Sequence, residues 1–327
     1  MIEKRSIFFL TAIALTVSYV IYAQKEIAWE KVSVRQVVRL PIGSRERELF
    51  LKVHPNGMVL APKLLPPDAD GFWIIGEAKG GIMRVSRSGT IVTVLRLNKG
   101  VKSRPKVNSL GYVAIHYHDD EIAIYNPRGL EVGKFKVKGC PKCGHPYCQT
   151  MESLDDKGQI WLRFLSSDRS VEEDPNQTVC VASFDSEGRV IQHVEGSWAV
   201  DIKGQLFRRT KSIGGSFIIL KAETMEMKEI PVPEKWNGFF IGMDSDRDLI
   251  WWHAWRLDNN KVSALMAFGK EGIVAILPRP TKFLGADAEK KIFSSGAVIG
   301  TDGRLYIAQC AEDAFYIFEA DMSFLKR

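Results

Sequence analysis

The chain is 327 residues long, 45% apolar and 26% charged, the make-up of a globular protein with room for one large all-β domain or two ordinary ones. Its formal charge of +6 is mild, and acidic residues are interspersed with basic ones along the whole length. A surface that tracks phosphates carries a basic stripe or cluster, and neither that nor a nucleic-acid motif is present, so nucleic acid is not an expected partner.

In chain order, residues 1–23 read as an export segment rather than as part of the fold. "MIEKR" supplies a positive start, the uncharged run "SIFFLTAIALTVSYVIY" fills residues 6–22, and Ala23 stands in the small position before a cut. The run lies near the lower limit for spanning a bilayer, so a cleaved signal and a retained anchor both stay open. In either case Lys4 and Arg5 stay cytoplasmic, and residues 24–327 are expected in the periplasm or outside the cell. The membrane is then touched only through the N-terminal segment.

Beyond it a unit recurs: an apolar strand, a turn rich in Asp and Gly, a strand with an early aromatic, a break, an alternating strand, a second Gly turn and a last strand. The clearest copies are "PPDADGFWIIGEAKGGIMRVSRSGTIVTVLRL", "SLDDKGQIWLRF" continued by "TVCVASFDSEGRVIQHVEG", and "VIGTDGRLYIAQCAEDAFYIFEADMSFLKR". Three weaker copies begin at "VNSLGYVAIHYHDD", "AVDIKGQLFRR" and "GMDSDRDLIWWHAW", which makes six. Their markers, Gly71, Gly111, Gly158, Gly204, Asp248 and Gly303, fall roughly 40 to 55 residues apart, the period of four-stranded propeller blades. Asp bonds its own backbone two residues on while Gly takes positive φ, so these joints turn tightly at low steric cost. The segments with the best claim to a helical turn, "TKFLGADAEKK" and "SSDRSVEEDPNQ", read as inserted loops.

This pattern resembles the six-bladed β-propellers of the NHL-repeat and gluconolactonase-like superfamily. The resemblance covers nearly all of residues 24–327 and implies an all-β fold of four-stranded antiparallel blades. The last copy is short, and the resemblance implies that an N-terminal strand, "VSVRQVVRL" at Val32–Leu40, completes it and closes the ring. In such a ring the inter-blade loops and the loops between second and third strands share one face, termed upper here. The Asp/Gly turns occupy the other.

The predicted upper face carries the segment "KGCPKCGHPYCQT", Lys138–Thr150, with three of the five cysteines. The His directly after the second Cys that c-type haem attachment needs is displaced by Gly144, which argues against haem. Two readings remain open. In one, Cys140, Cys143, His145 and Cys148 hold Zn or another divalent cation, completed by His118 or His116 from a neighbouring strand end. In the other, disulfides pin the loop: Cys148 pairs with Cys180 across the third blade while Cys140 and Cys143 pair locally or stay free. Cys310, within "LYIAQC", is expected as a free thiol.

"LIWWHAWRLD" could form an aromatic platform through Trp251, Trp252, Trp255, His253 and Arg256, but reads first as a strand packed on both faces. The family's channel metal set, a Glu, two Asn and an Asp, cannot be matched to the blades. Asn108 and Asn237 therefore read as turn residues, as do Asp70, Asp156 and Asp302. Asn176 in "NQT" fits a glycosylation acceptor. Two functions follow: a monomeric module that binds a protein or small-molecule ligand at its upper face, or a metal-dependent hydrolase or lyase with an ion in the central channel. Whether the chain is an enzyme stays open on these residues.

Overall fold

The computed structural model describes residues 26–325 apart from 44–47, 77–80, 98, 168–177, 211–214, 223, 245–246, 260–261 and 288. The export segment expected at 1–23, Asn176 and most of "SSDRSVEEDPNQ" lie outside the described residues. Among the described residues no helix is long and apolar enough to cross a membrane, and the one helical element is a 3₁₀ turn at Trp29–Lys31. The segment "TKFLGADAEKK" forms no helix among its described residues. Phe283 of that segment is buried in the core, and Gln309 bonds the backbone of Leu284 and Lys282 on either side of it (3.0 and 2.9 Å), which holds the segment open.

Six four-stranded antiparallel sheets follow one another along the chain. Blade 1 spans Lys63–Arg96, blade 2 Val101–Lys136, blade 3 Tyr147–Glu195, blade 4 Ala199–Pro231 and blade 5 Trp236–Pro278. Blade 6 takes Ile292–Ile299, Leu305–Ala311 and Ala314–Ala320 from the end of the chain, and its outer strand, Val34–Pro41, from the beginning. The closing strand runs antiparallel to Ala314–Ala320, with Val34 opposite Ala320 and Pro41 opposite Ala314. A small hairpin, Lys52–Val53 with Val59–Leu60, links it to blade 1.

Strand alternation explains why the sheets form a ring. Trp251 and Trp252 are neighbours in one strand and both fully buried, yet Trp251 packs with Tyr316 and Phe318 of blade 6, and Trp252 with Phe217 of blade 4. Every blade is apolar on both faces in this way. Each of the six pairs of adjacent blades has its own buried cluster, the one between blades 6 and 1 uniting Leu40 and Phe315 with Phe72 and Ile74. The cores thus form a closed circuit with no exposed end face.

The turns that follow the inner strands are built alike. A side-chain oxygen of Asp68, Asn108, Asp155 or Asp201 accepts bonds from two backbone N–H groups of the turn, in blade 3 from Lys157 (3.0 Å) and Gln159 (2.8 Å). Gly111, Gly158, Gly204 and Gly303 then take φ of 76°, 77°, 75° and 74°, and Asp248 takes the same role in blade 5 at 56°. Asp156 sits in its turn as expected and ties blades together as well. It accepts bonds from the Ser109 backbone of blade 2 and from Lys203 of blade 4, both at 2.8 Å. Asn108 is a turn residue as expected, whereas Asn237 lies within the inner strand Trp236–Asp244.

Candidate functional site

The cysteine segment joins the outer strand of blade 2 to the inner strand of blade 3, on the same face as the turn His118–Asp120, whose Asp120 carbonyl accepts a bond from Val137 N (2.9 Å). Gly139 (φ 96°) opens the loop where a Cβ would come within 3.0 Å of the His145 carbonyl, so only glycine fits. Cys140 N donates to His145 O (2.8 Å), Gly144 N donates to Cys140 O (2.9 Å), and Lys142 pins the tip to the Ile191 carbonyl (2.6 Å).

Cys143 is bonded to Cys180. The alternative pairing, Cys148 with Cys180, is ruled out by sheet register. Cys148 lies opposite Phe164, and Phe164 opposite Cys180, so a whole strand separates them. Two strand spacings put the pair about 9–10 Å apart, beyond the roughly 7 Å that a disulfide spans. Cys140, Cys148 and Cys310 are unpaired and buried. Burial pushes the Cys148 and Cys310 thiols up to about 12, so both stay protonated near neutrality.

Among the described residues two groups have ligand-capable atoms within 4.8 Å of one another: Cys140, Cys143 and Cys180, and His116, Asp120 and Cys148. The residues singled out from sequence are therefore split. Cys140 and Cys143 fall in one group and Cys148 in the other. His145 is in neither, its Nε2 resting 3.1 Å from Thr178 Oγ1. His118 is exposed, and its ring covers Gly100. His116 takes the inward position, 3.4 Å from Asp120 Oδ1 and 4.0 Å from Cys148 Sγ. Burial and then the Lys102 charge hold this imidazole below its ordinary value, so it is neutral near pH 7.

A second candidate lies on the axis. Two cavities of ≈ 290 and ≈ 370 Å³ share Arg104, Phe239, Ile241, Ala297 and Val298 in their walls and together form the central channel. The lower one contains Lys106, Glu152 and Asp201. Glu152 pairs with Arg163 at 3.0 Å, and burial shifts its carboxyl up and the Lys106 ammonium down. Asp201 Oδ2 is buried without a hydrogen-bond partner, and burial raises its carboxyl to about 6. These two carboxylates join no three-donor group, which leaves the lactonase-like channel ion without a ligand set among the described residues.

The upper cavity is lined by Lys63, Arg104 and Arg279, by Phe239 and His253, and by Ser295. No acidic side chain lines it among the described residues. The His253 ring packs edge-on against Phe239 at 4.9 Å. Its Nε2 and the Ser295 Oγ are buried without partners. Burial, with the Arg279 charge, holds the His253 imidazole below its ordinary value. His253 follows Trp251 on the blade 6 side of its strand, which is how a residue of "LIWWHAWRLD" reaches a cavity while both tryptophans serve the core. The channel cations were not legible in the sequence. The one available signal was "VKSRPKV", where Pro105 marks an edge strand that has no N–H to give and flanking cations stand two apart.

No family model and no curated protein matches the sequence. Solved structures do resemble the fold. A member of the DUF4221 family from Bacteroides vulgatus matches with a TM-score of 0.55 at 13% identity, over 89% of this chain and 98% of that one. A Bacteroides fragilis protein named as exported matches at TM-score 0.49 and 10% identity (92% and 99% covered). A streptogramin B lyase matches at 0.44 and 12% (90% and 100% covered). At these identities the likeness is one of fold: the chain is a six-bladed β-propeller.

Proposed function

We propose that the chain is an exported, monomeric propeller that binds a small anionic ligand, bearing carboxylate or phosphate, in the upper half of its channel. One observation carries this reading: the ≈ 290 Å³ cavity gathers three cationic side chains from blades 1, 2 and 5 with no acidic lining residue among those described. A cavity of this size, apolar in most of its wall with a few convergent polar groups, has the make-up of a small-molecule site. Lys63, Arg104 and Arg279 are exposed at the mouth of the cavity, where like charges gathered together repel and an anion offsets that repulsion. The unpartnered His253 Nε2 and Ser295 Oγ add to the argument, since each buried orphan costs about 1–3 kcal/mol that a turn of the side chain towards a ligand would recover. The propeller fold, the Cys143–Cys180 bridge and the sequence of residues 1–23 support export and a place within the NHL-like propellers.

The test is a calorimetric screen of di- and tricarboxylates and sugar phosphates against the whole chain and against Arg279→Gln. Binding weakened about tenfold or more by the substitution, and weakened by salt, is the expected result. An anion that binds both proteins equally, or a full panel without heat, removes the proposal. Affinity should also rise as pH falls below the ordinary imidazole range, because burial and the Arg279 charge hold His253 neutral near pH 7 and an anion favours its charged form.

A further inference from the structure

We propose that Cys140, Cys143 and Cys180 form a thiol–disulfide exchange site, with Cys143 as the sulfur that meets thiols from outside. The three Sγ atoms lie within 4.8 Å of one another, and two of them share a bond while the third is a thiol. A thiol this close to a disulfide is one side-chain rotation from attacking it. The other two thiols cannot compete, as Cys148 stands two strand spacings from Cys180 and Cys310 lies in blade 6.

Exposure decides which sulfur reacts. Cys140 is 2% and Cys180 0% exposed, whereas Cys143 is half-buried between exposed Lys142 and Gly144. A Cβ built on Gly144 would meet nothing within 4 Å, so the approach over the knuckle is open. An outside thiolate therefore attacks Cys143 Sγ. The Cys143–Cys180 bond breaks, Cys180 leaves as a thiolate and takes a proton from water, and the outside sulfur is held as a mixed disulfide on Cys143. Cys140 then gives up its proton to the hydroxide left by that transfer and attacks the same Cys143 Sγ, forming Cys140–Cys143 and expelling the outside thiolate. One disulfide is exchanged for another, and no oxidant or reductant is consumed. The exchange frees the loop from the third strand of blade 3, Val179–Phe184.

The full chain, purified without reductant, would be incubated with reduced glutathione, quenched with N-ethylmaleimide and digested with trypsin. Cleavage after Lys138 and Lys142 puts Cys140 and Cys143 on separate peptides, so each linkage is read directly by mass. Wild type is expected to yield both Cys143–Cys180 and Cys140–Cys143. Cys140→Ser is expected to carry several-fold more glutathione on Cys143, because the resolving thiol is gone. Cys180→Ser is expected to pair Cys140 with Cys143. Absence of the Cys140–Cys143 linkage from wild type, with no gain of glutathione in Cys140→Ser, overturns the proposal. So does a chain that holds one zinc on three thiolates and no bridge. The wild-type arm stands even if a variant fails to fold.

Discussion

Asp201 ends the inner strand of blade 4 with one oxygen bonded to the N–H groups of Lys203 and Gln205 and the other buried without a partner. In blade 3 the equivalent Asp155 has the Trp161 indole at 2.9 Å. Blade 4 carries Phe207 six residues on, which has no N–H to offer. The Asp201 carboxyl binds its proton more tightly in the folded chain (about 6) than in the unfolded one (3.8). Its share of stability is thus fully present below pH 4 and is lost as pH rises through 6. We expect Asp201→Asn, which keeps the acceptor for the turn, to stabilise the protein by about 1–3 kcal/mol at pH 8 and by nothing at pH 4. Urea melts at the two pH values check this; an equal gain at both would mean that the charge costs nothing. The turn chemistry itself was legible, since Asp or Asn followed by Gly recurs. The missing indole was not, because only the packed strand shows which side chain reaches the second oxygen.

At the scale of elements, Val34–Pro41 lies farthest in sequence from the strand it pairs with, about 280 residues away. Val38 and Leu40 of this strand are buried in the cluster shared by blades 6 and 1. Removing it would bare the strand Ala314–Ala320, which is apolar over nearly its whole length and would present an unpaired edge. We expect a chain lacking Val32–Leu40 to be insoluble. A soluble truncation that melts cooperatively would show that the ring does not need its closing strand. The vacancy was readable from the repeats, because the last copy falls one strand short, and the resemblance to propellers implied the N-terminal strand that fills it. The register was not, nor was the irregularity between Gln36 and Val38, since pairing between chain ends leaves no local trace.

For the whole molecule, the closing strand and the Cys143–Cys180 bridge do different work. The strand completes the circuit of six cores, whereas the bridge spans 37 residues within one sector of the rim. We expect reduction to lower stability by roughly 2–4 kcal/mol through the freer unfolded chain while leaving the β circular dichroism at low urea unchanged. Loss of that signal on reduction alone would make the bridge a condition of the fold. The ring also assembles the channel: Lys63, Arg104 and Arg279 belong to three blades and stand far apart in sequence, and the wheel alone brings them to one cavity.

What the sequence determined by itself was the architecture, because repeating turns and alternating apolar strands are local, and their number and the short sixth copy dictate a closed wheel. Tertiary structure alone decided which cysteines meet, that His116 rather than His118 turns inward, and that cations converge on the axis. Those outcomes depend on distances between strands and on which face a side chain takes after bulges shift the register, and no spacing along the chain encodes them.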